Sequence, residues 1–126
     1  MRALLDTSVL IATNVPDLEG ELAISAASLA ELHFGVMVTT NTAVRAERLR
    51  RLSILQRTFD PLTIDDDVAT SYGRLAAAVA EIGRQPRSRV FDLLIAATAH
   101  AHDARLYTRN AVDLIGLEEL IEIVPV

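Results

Sequence analysis

The chain has 126 residues, with 12 basic and 17 acidic side chains and a formal net charge of −5. Its hydrophobic fraction of 51 % and charged fraction of 23 % describe one globular domain with a single core, and exclude a disordered chain. There is no Cys, Trp or Lys, which excludes disulfides, thiolate metal sites, cysteine nucleophiles, Schiff bases and the phosphate-binding lysine of a P-loop.

Arg2–Leu5 reads as a short buried strand. Asp6 then puts a carboxylate where an export signal needs continuous apolar sequence. No apolar run reaches the roughly 18 residues of a membrane helix, so the expectation is a cytoplasmic protein without membrane contact. Asp6-Thr7-Ser8 is a polar break able to cap a helix over Val9–Ala12. Asn14–Gly20 is turn-rich, and Leu22–Ile24 reads as a second strand. Ser28–Val38 has helical spacing, with Leu29, Leu32 and Val36 on one face. Asn41–Phe59 predicts a long amphipathic helix with Leu49, Leu52, Leu55 and Phe59 turned inward. Pro61–Ile64 is extended. Asp65–Gly83 is a helix opened by three acids, which suit its positive end, and closed by Gly83. After the breakers Arg84–Arg87 comes an Ala-rich core helix, Phe91–Ala101. Arg105–Thr108 and Ile121–Val124 are the last strands.

Short strands alternating with helices predict a single α/β domain over residues 1–126, a mainly parallel sheet flanked by helices. Such sheets bind ligands beyond the carboxyl ends of their strands. Asp6 ends the first strand, and Asp113 lies just beyond the Arg105–Thr108 strand. Glu31 and Asp92 are two further acids in apolar surroundings, where a charge needs a partner or a metal. Each also has a purely local reading. Asp6 caps a helix, Ser28-Leu29-Ala30-Glu31 matches a capping box, Asp92 sits at a helix start, and Asp113 serves a turn.

Four segments together carry a family resemblance. Asp6-Thr7-Ser8-Val9-Leu10-Ile11-Ala12 resembles the opening of PIN-domain ribonucleases, in particular the VapC-type toxins of bacterial toxin–antitoxin pairs. Ser28–Val36, Phe91–Ala99 and Leu106–Leu114 resemble the second, third and fourth motifs, in order and across the whole chain. The resemblance implies a PIN-like fold and metal-holding acids at Asp6, Glu31, Asp92 and Asp113. It implies supporting roles for Thr7, Ser8, Thr108 and Asn110. The position two residues before the third acid, often acidic in that family, is Val90 here. The implied activity is an endoribonuclease using water activated by Mg²⁺ or Mn²⁺, leaving a 5′-phosphate and a 3′-hydroxyl. The implied partners are RNA, a VapB-type antitoxin and a second copy of the chain.

Charge physics agrees with an ion. Two unit charges about 4 Å apart repel by about 4 kcal/mol at an effective dielectric of about 20. Clustered carboxylates therefore protonate, splay or take a cation, and all-oxygen ligands suit Mg²⁺ or Mn²⁺. Arg84, Arg87 and Arg89, just before Asp92, are the candidate RNA contacts, while Arg45, Arg48, Arg50 and Arg51 spread around their helix as a solvated face, a phosphate guide or a partner surface. His100 and His102 are about 200° apart on a helix and form no joint ligand pair. The competing reading is a PIN-like module that binds without cutting. A receiver domain would need a Lys, and a haloacid-dehalogenase-type phosphatase an Asp where Ser8 stands.

Overall fold

In the computed structural model, which describes residues 1–126, four parallel strands make one sheet. They are β1 (Arg2–Leu5), β2 (Glu21–Ile24), β3 (Arg105–Thr108) and β4 (Ile123–Pro125), in the spatial order β2-β1-β3-β4. Register is fixed by pairs such as Leu4 with Ala23 and with Leu106. Pro125, which has no N–H to give a further strand, lies on an edge strand, where a proline is tolerated.

The helices are α1 (Thr7–Leu10), α2 (Ala26–Val38), α3 (Thr42–Thr58), α4 (Asp66–Glu81) and α5 (Val90–Ala101). Two 3-10 turns, Pro86–Arg89 and Ala111–Leu114, precede α5 and follow β3. Alternation along the strands gives the sheet two apolar faces. Leu4 and Leu106 pack with Leu75 and Val79 of α4 and with Leu93 and Ile95 of α5 in the larger core. Ala3, Leu5, Ile24 and Tyr107 pack with Val9 on the other side. A fully buried Leu or Ile contributes about 1.5–3 kcal/mol.

The α/β architecture with a parallel sheet is the one the sequence predicts, and the differences are local. α1 starts at Thr7, earlier than expected, because Asp6 itself is the N-cap. α2 starts at Ala26 with Ser25 as N-cap, which overturns the capping box between Ser28 and Glu31. Ser28 is already inside the helix, and the tertiary bond from the Ala26 N–H to the Leu62 carbonyl (2.9 Å) helps fix this earlier start. On α3 only Leu52 is buried, and Leu49, expected inside, is 47 % exposed. Phe91, expected in the core, is 44 % exposed because α5 turns Leu93, Ile95 and the alanines inward instead. Asp65 caps α4 through the Val68 N–H, and Gly83 takes a φ of 82° just past its end, a conformation that favours glycine. No helix is long and apolar enough to cross a membrane.

Candidate active site

The chain runs from β1 to β2 on one side of the sheet and later returns to place β3 on the other side of β1. Such a reversal leaves a crevice at the carboxyl ends of the two strands. Asp6, Asp92, Asn110 and Asp113 line a small crevice there with Ile95, Leu106 and Leu114. Its free volume is about 10 Å³, close to that of one water-sized sphere.

Each acid is held differently. The Asp6 N–H donates to the Tyr107 carbonyl (3.1 Å), which ties the end of β1 to β3. Its Oδ1 accepts from the Val9 N–H (3.1 Å) and from the Ser8 hydroxyl (2.5 Å). Ser8 Oγ in turn accepts from the Arg109 N–H (2.9 Å). One carboxylate oxygen is thus occupied by the chain, and Oδ2 has no protein donor. Asp6 combines the capping role with a place in the crevice. Glu31 accepts a hydrogen bond from Thr7 Oγ1 (2.6 Å), which straps α2 to α1. Thr7 Oγ1 also lies 3.2 Å from Ser28 Oγ.

Asp92 sits in the first turn of α5, yet Arg89 is the N-cap residue and no side chain caps the helix. Asp92 thus lies at the helix start, as the sequence predicts, where the helix dipole favours a negative charge, but it does not cap the helix. Burial pushes its carboxyl above the ordinary range, and the charges of Glu31, Asp113 and Asp6 push the same way, while Arg89 opposes them. Glu31, Asp113 and Asp6 are thus each close enough to repel the Asp92 carboxylate. No three of them converge into a ready-made ligand cage. Unscreened like charges splay apart, and Mg²⁺ in any case takes one or two carboxylates and keeps several waters. The all-oxygen donor set, with Asp92 lacking any partner but Arg89's field, fits a hard divalent cation.

The remaining predicted residues fall in two groups. Thr108 is buried and its hydroxyl accepts from the Asn110 N–H (2.9 Å), which turns the chain so that Asn110 reaches the crevice. Asp113 pairs with Arg89 at 3.0 Å. Arg89 also donates to the Asp113 carbonyl, and Arg84 donates to the Val112 carbonyl. Two of the three candidate RNA contacts are therefore engaged in holding the Ala111–Leu114 turn, and only Arg87 is exposed without a partner. His100 bonds Ser71 and His102 bonds Arg2, so neither enters the site. Sequence reasoning missed Arg109, whose side chain also reaches Asn14 (2.9 and 3.0 Å) and so ties the start of the Asn14–Gly20 loop to the end of β3. Its position directly after β3 was the available signal.

Comparison with known proteins accords with this geometry. Residues 3–112 match the PIN domain family. Ribonuclease VapC5 of Mycobacterium tuberculosis (strain ATCC 25618 / H37Rv) is 36 % identical over 132 residues, covering 94 % of this chain and 93 % of the relative. The crystal structure of VapBC-5 from Mycobacterium tuberculosis, a member of the VapBC family of toxin–antitoxin systems, contains a chain similar to this one with a TM-score of 0.80. Identity is 32 %, over 99 % of this chain and 97 % of that one. VapBC2 from Rickettsia felis, solved bound to a promoter DNA fragment, shares the fold with a TM-score of 0.78 at 22 % identity, over 99 % and 98 % of the two chains. The chain belongs to the PIN domain family.

Proposed function

We propose that this chain is a metal-dependent endoribonuclease toxin, held inactive by a VapB-type antitoxin. The observation that carries the reading is the meeting of Asp6, Asp92 and Asp113 in one crevice between β1 and β3, with Glu31 near enough to act on Asp92. Its likeness to proteins named ribonucleases, and to a chain solved in a toxin–antitoxin complex, supplies the substrate class and the partner.

Asp6 through Oδ2, Asp92, Glu31 and Asp113 are the residues that would hold Mg²⁺ or Mn²⁺. The ion would neutralise the phosphodiester and lower the pKa of a water. The chain's own part is orientation. Ser8 and the Val9 N–H fix the Asp6 rotamer, Thr7 fixes Glu31, and Arg89 fixes Asp113. Asn110 brings an amide to the crevice, where it is placed to orient a water or a phosphate oxygen. No side chain is needed as a covalent nucleophile.

The Arg89–Asp113 ion pair favours a second reading, a module that binds but does not cut, because it engages one of the acids. One assay separates the two. Structured cellular RNAs are incubated with the wild-type chain, Asp6→Asn or Asp92→Asn, in Mg²⁺, Mn²⁺ or EDTA. Cutting by the wild type alone, abolished by EDTA, is the expected result. Equal cutting by all three removes the proposal, and RNA or partner binding without any cutting selects the second reading.

A further inference from the structure

The arginines of α3 are not equivalent. Arg50 pairs with Glu47, Arg45 donates to the Thr39 carbonyl, and Arg57 is exposed. Arg48 and Arg51, one turn apart, instead line a cleft of about 430 Å³ with Ile11, Leu32, Thr7 and Glu31. Arg48 donates to the Gly35 carbonyl (2.6 Å) and Arg51 to the Ile11 carbonyl (3.0 Å). Neither guanidinium has a carboxylate within 4.0 Å. Each is therefore aimed by a backbone tether and left with most of its N–H donors and its whole charge unspent. Two like charges one helical turn apart cost stability unless an anion lies between them.

The cleft is continuous with the acids. Glu31 lines it and also lines, with Asp92, a second opening that carries Arg87 and Arg89. Arginines thus line both openings that share Glu31, beside carboxylates that would themselves repel a phosphate. A single acidic side chain would be met at one opening. A strand with a phosphate at every nucleotide can be met at both openings. We propose that Arg48 and Arg51 form a phosphate seat for the RNA strand, away from the bond that is cut, an inference that rests on the ribonuclease reading. The planar guanidinium forks suit two-point contact with phosphate oxygens.

The test is binding rather than cutting. A short fluorescein-labelled single-stranded oligoribonucleotide of mixed sequence is titrated with the Asp92→Asn chain, without divalent ions, at several salt concentrations. Adding Arg48→Ala and Arg51→Ala together should weaken binding at least tenfold. The slope of log affinity against log salt should shrink by about 0.7, the value for one phosphate contact on a single strand. Arg57→Ala, on the same helix but outside the cleft, should change neither. The double Lys variant should keep the slope and recover part of the affinity. Should the alanine pair unfold by circular dichroism, Arg48→Glu alone, which leaves the Arg51 tether, should give at least the same tenfold loss. Equal weakening by Arg57→Ala would reduce the effect to general charge and overturn the seat. Unchanged RNA binding in the double variant also overturns it, and hands the cleft to an acidic protein segment. A parent chain that binds no RNA at all overturns this proposal and the ribonuclease reading together, whereas binding that ignores Arg48 and Arg51 removes the seat alone.

Discussion

α5 and α3 are helices of opposite make-up, and each presents its charges accordingly. α5 buries Leu93, Ile95, Ala96, Ala97, Thr98 and Ala99 among its 12 residues, and Asp92 is the acid at its start. α3 is longer, at 17 residues, yet buries only Leu52 and carries five arginines. An acid on α5 cannot move without opening the core, so its place in the crevice is dictated by packing. Three arginines on α3, Arg45, Arg48 and Arg51, are each placed by a single tether to a carbonyl group, for which water competes. Rigid ligands for a small ion belong on the first kind of helix, and adaptable contacts to a long polymer on the second.

The largest expected effect lies at the α5 end of this contrast. Asp92→Asn should lower RNA cleavage by more than the roughly 10–100-fold typical of losing an outer partner of a metal site. The metal-free chain should nonetheless melt at the same temperature or higher, because desolvation and repulsion are both relieved. A drop of several degrees would make Asp92 a structural residue and break the contrast. Next comes Ile95→Ala, which should cost about 2–5 kcal/mol in chemical denaturation. Ser8→Ala should weaken Mn²⁺ binding, read by calorimetry, by about 10–100-fold, since Asp6 loses a donor that fixes its rotamer. A smaller effect is a pH dependence. In EDTA the folded chain holds a proton on Asp92 at pH values where the unfolded chain, with its ordinary value of 3.8, has released it. Stability contributed this way is complete below 3.8 and is lost as pH rises through the raised folded value, then levels off. Melting curves of Asp92→Asn should lack that slope. The smallest change is expected on α3, where Ile54→Ala should stay within about 0.5 kcal/mol; a loss as large as that of Ile95→Ala would erase the difference between the helices.

Elements whose apolar residues are close in sequence could be read directly. The strand Arg2–Leu5 and the Arg105–Thr108 strand have the expected bounds, and the acids of Asp65–Asp67 open α4 as their charge predicts. Reading failed where a distant segment decides. The start of α2 is supported by a bond to Leu62, so Ser25, not Ser28, became the cap. The exposure of Leu49 depends on which partners the fold gives α3, and spacing alone cannot supply that. Within the site, Asp6 was legible both as a cap and as a ligand, and it fills the first role while keeping an oxygen free for the second. The engagement of Arg84 and Arg89 with the Ala111–Leu114 turn was not legible, because backbone carbonyls as partners leave no mark in a sequence.

The insertion of β3 beside β1 carries a consequence for biosynthesis. During translation, Asp6 and Glu31 leave the ribosome long before Arg105–Thr108 and Asp113, so the crevice cannot assemble until the final stretch of the chain emerges. A chain whose synthesis stops before Arg105 lacks β3, and with it the wall of the crevice that Leu106, Asn110, Asp113 and Leu114 supply.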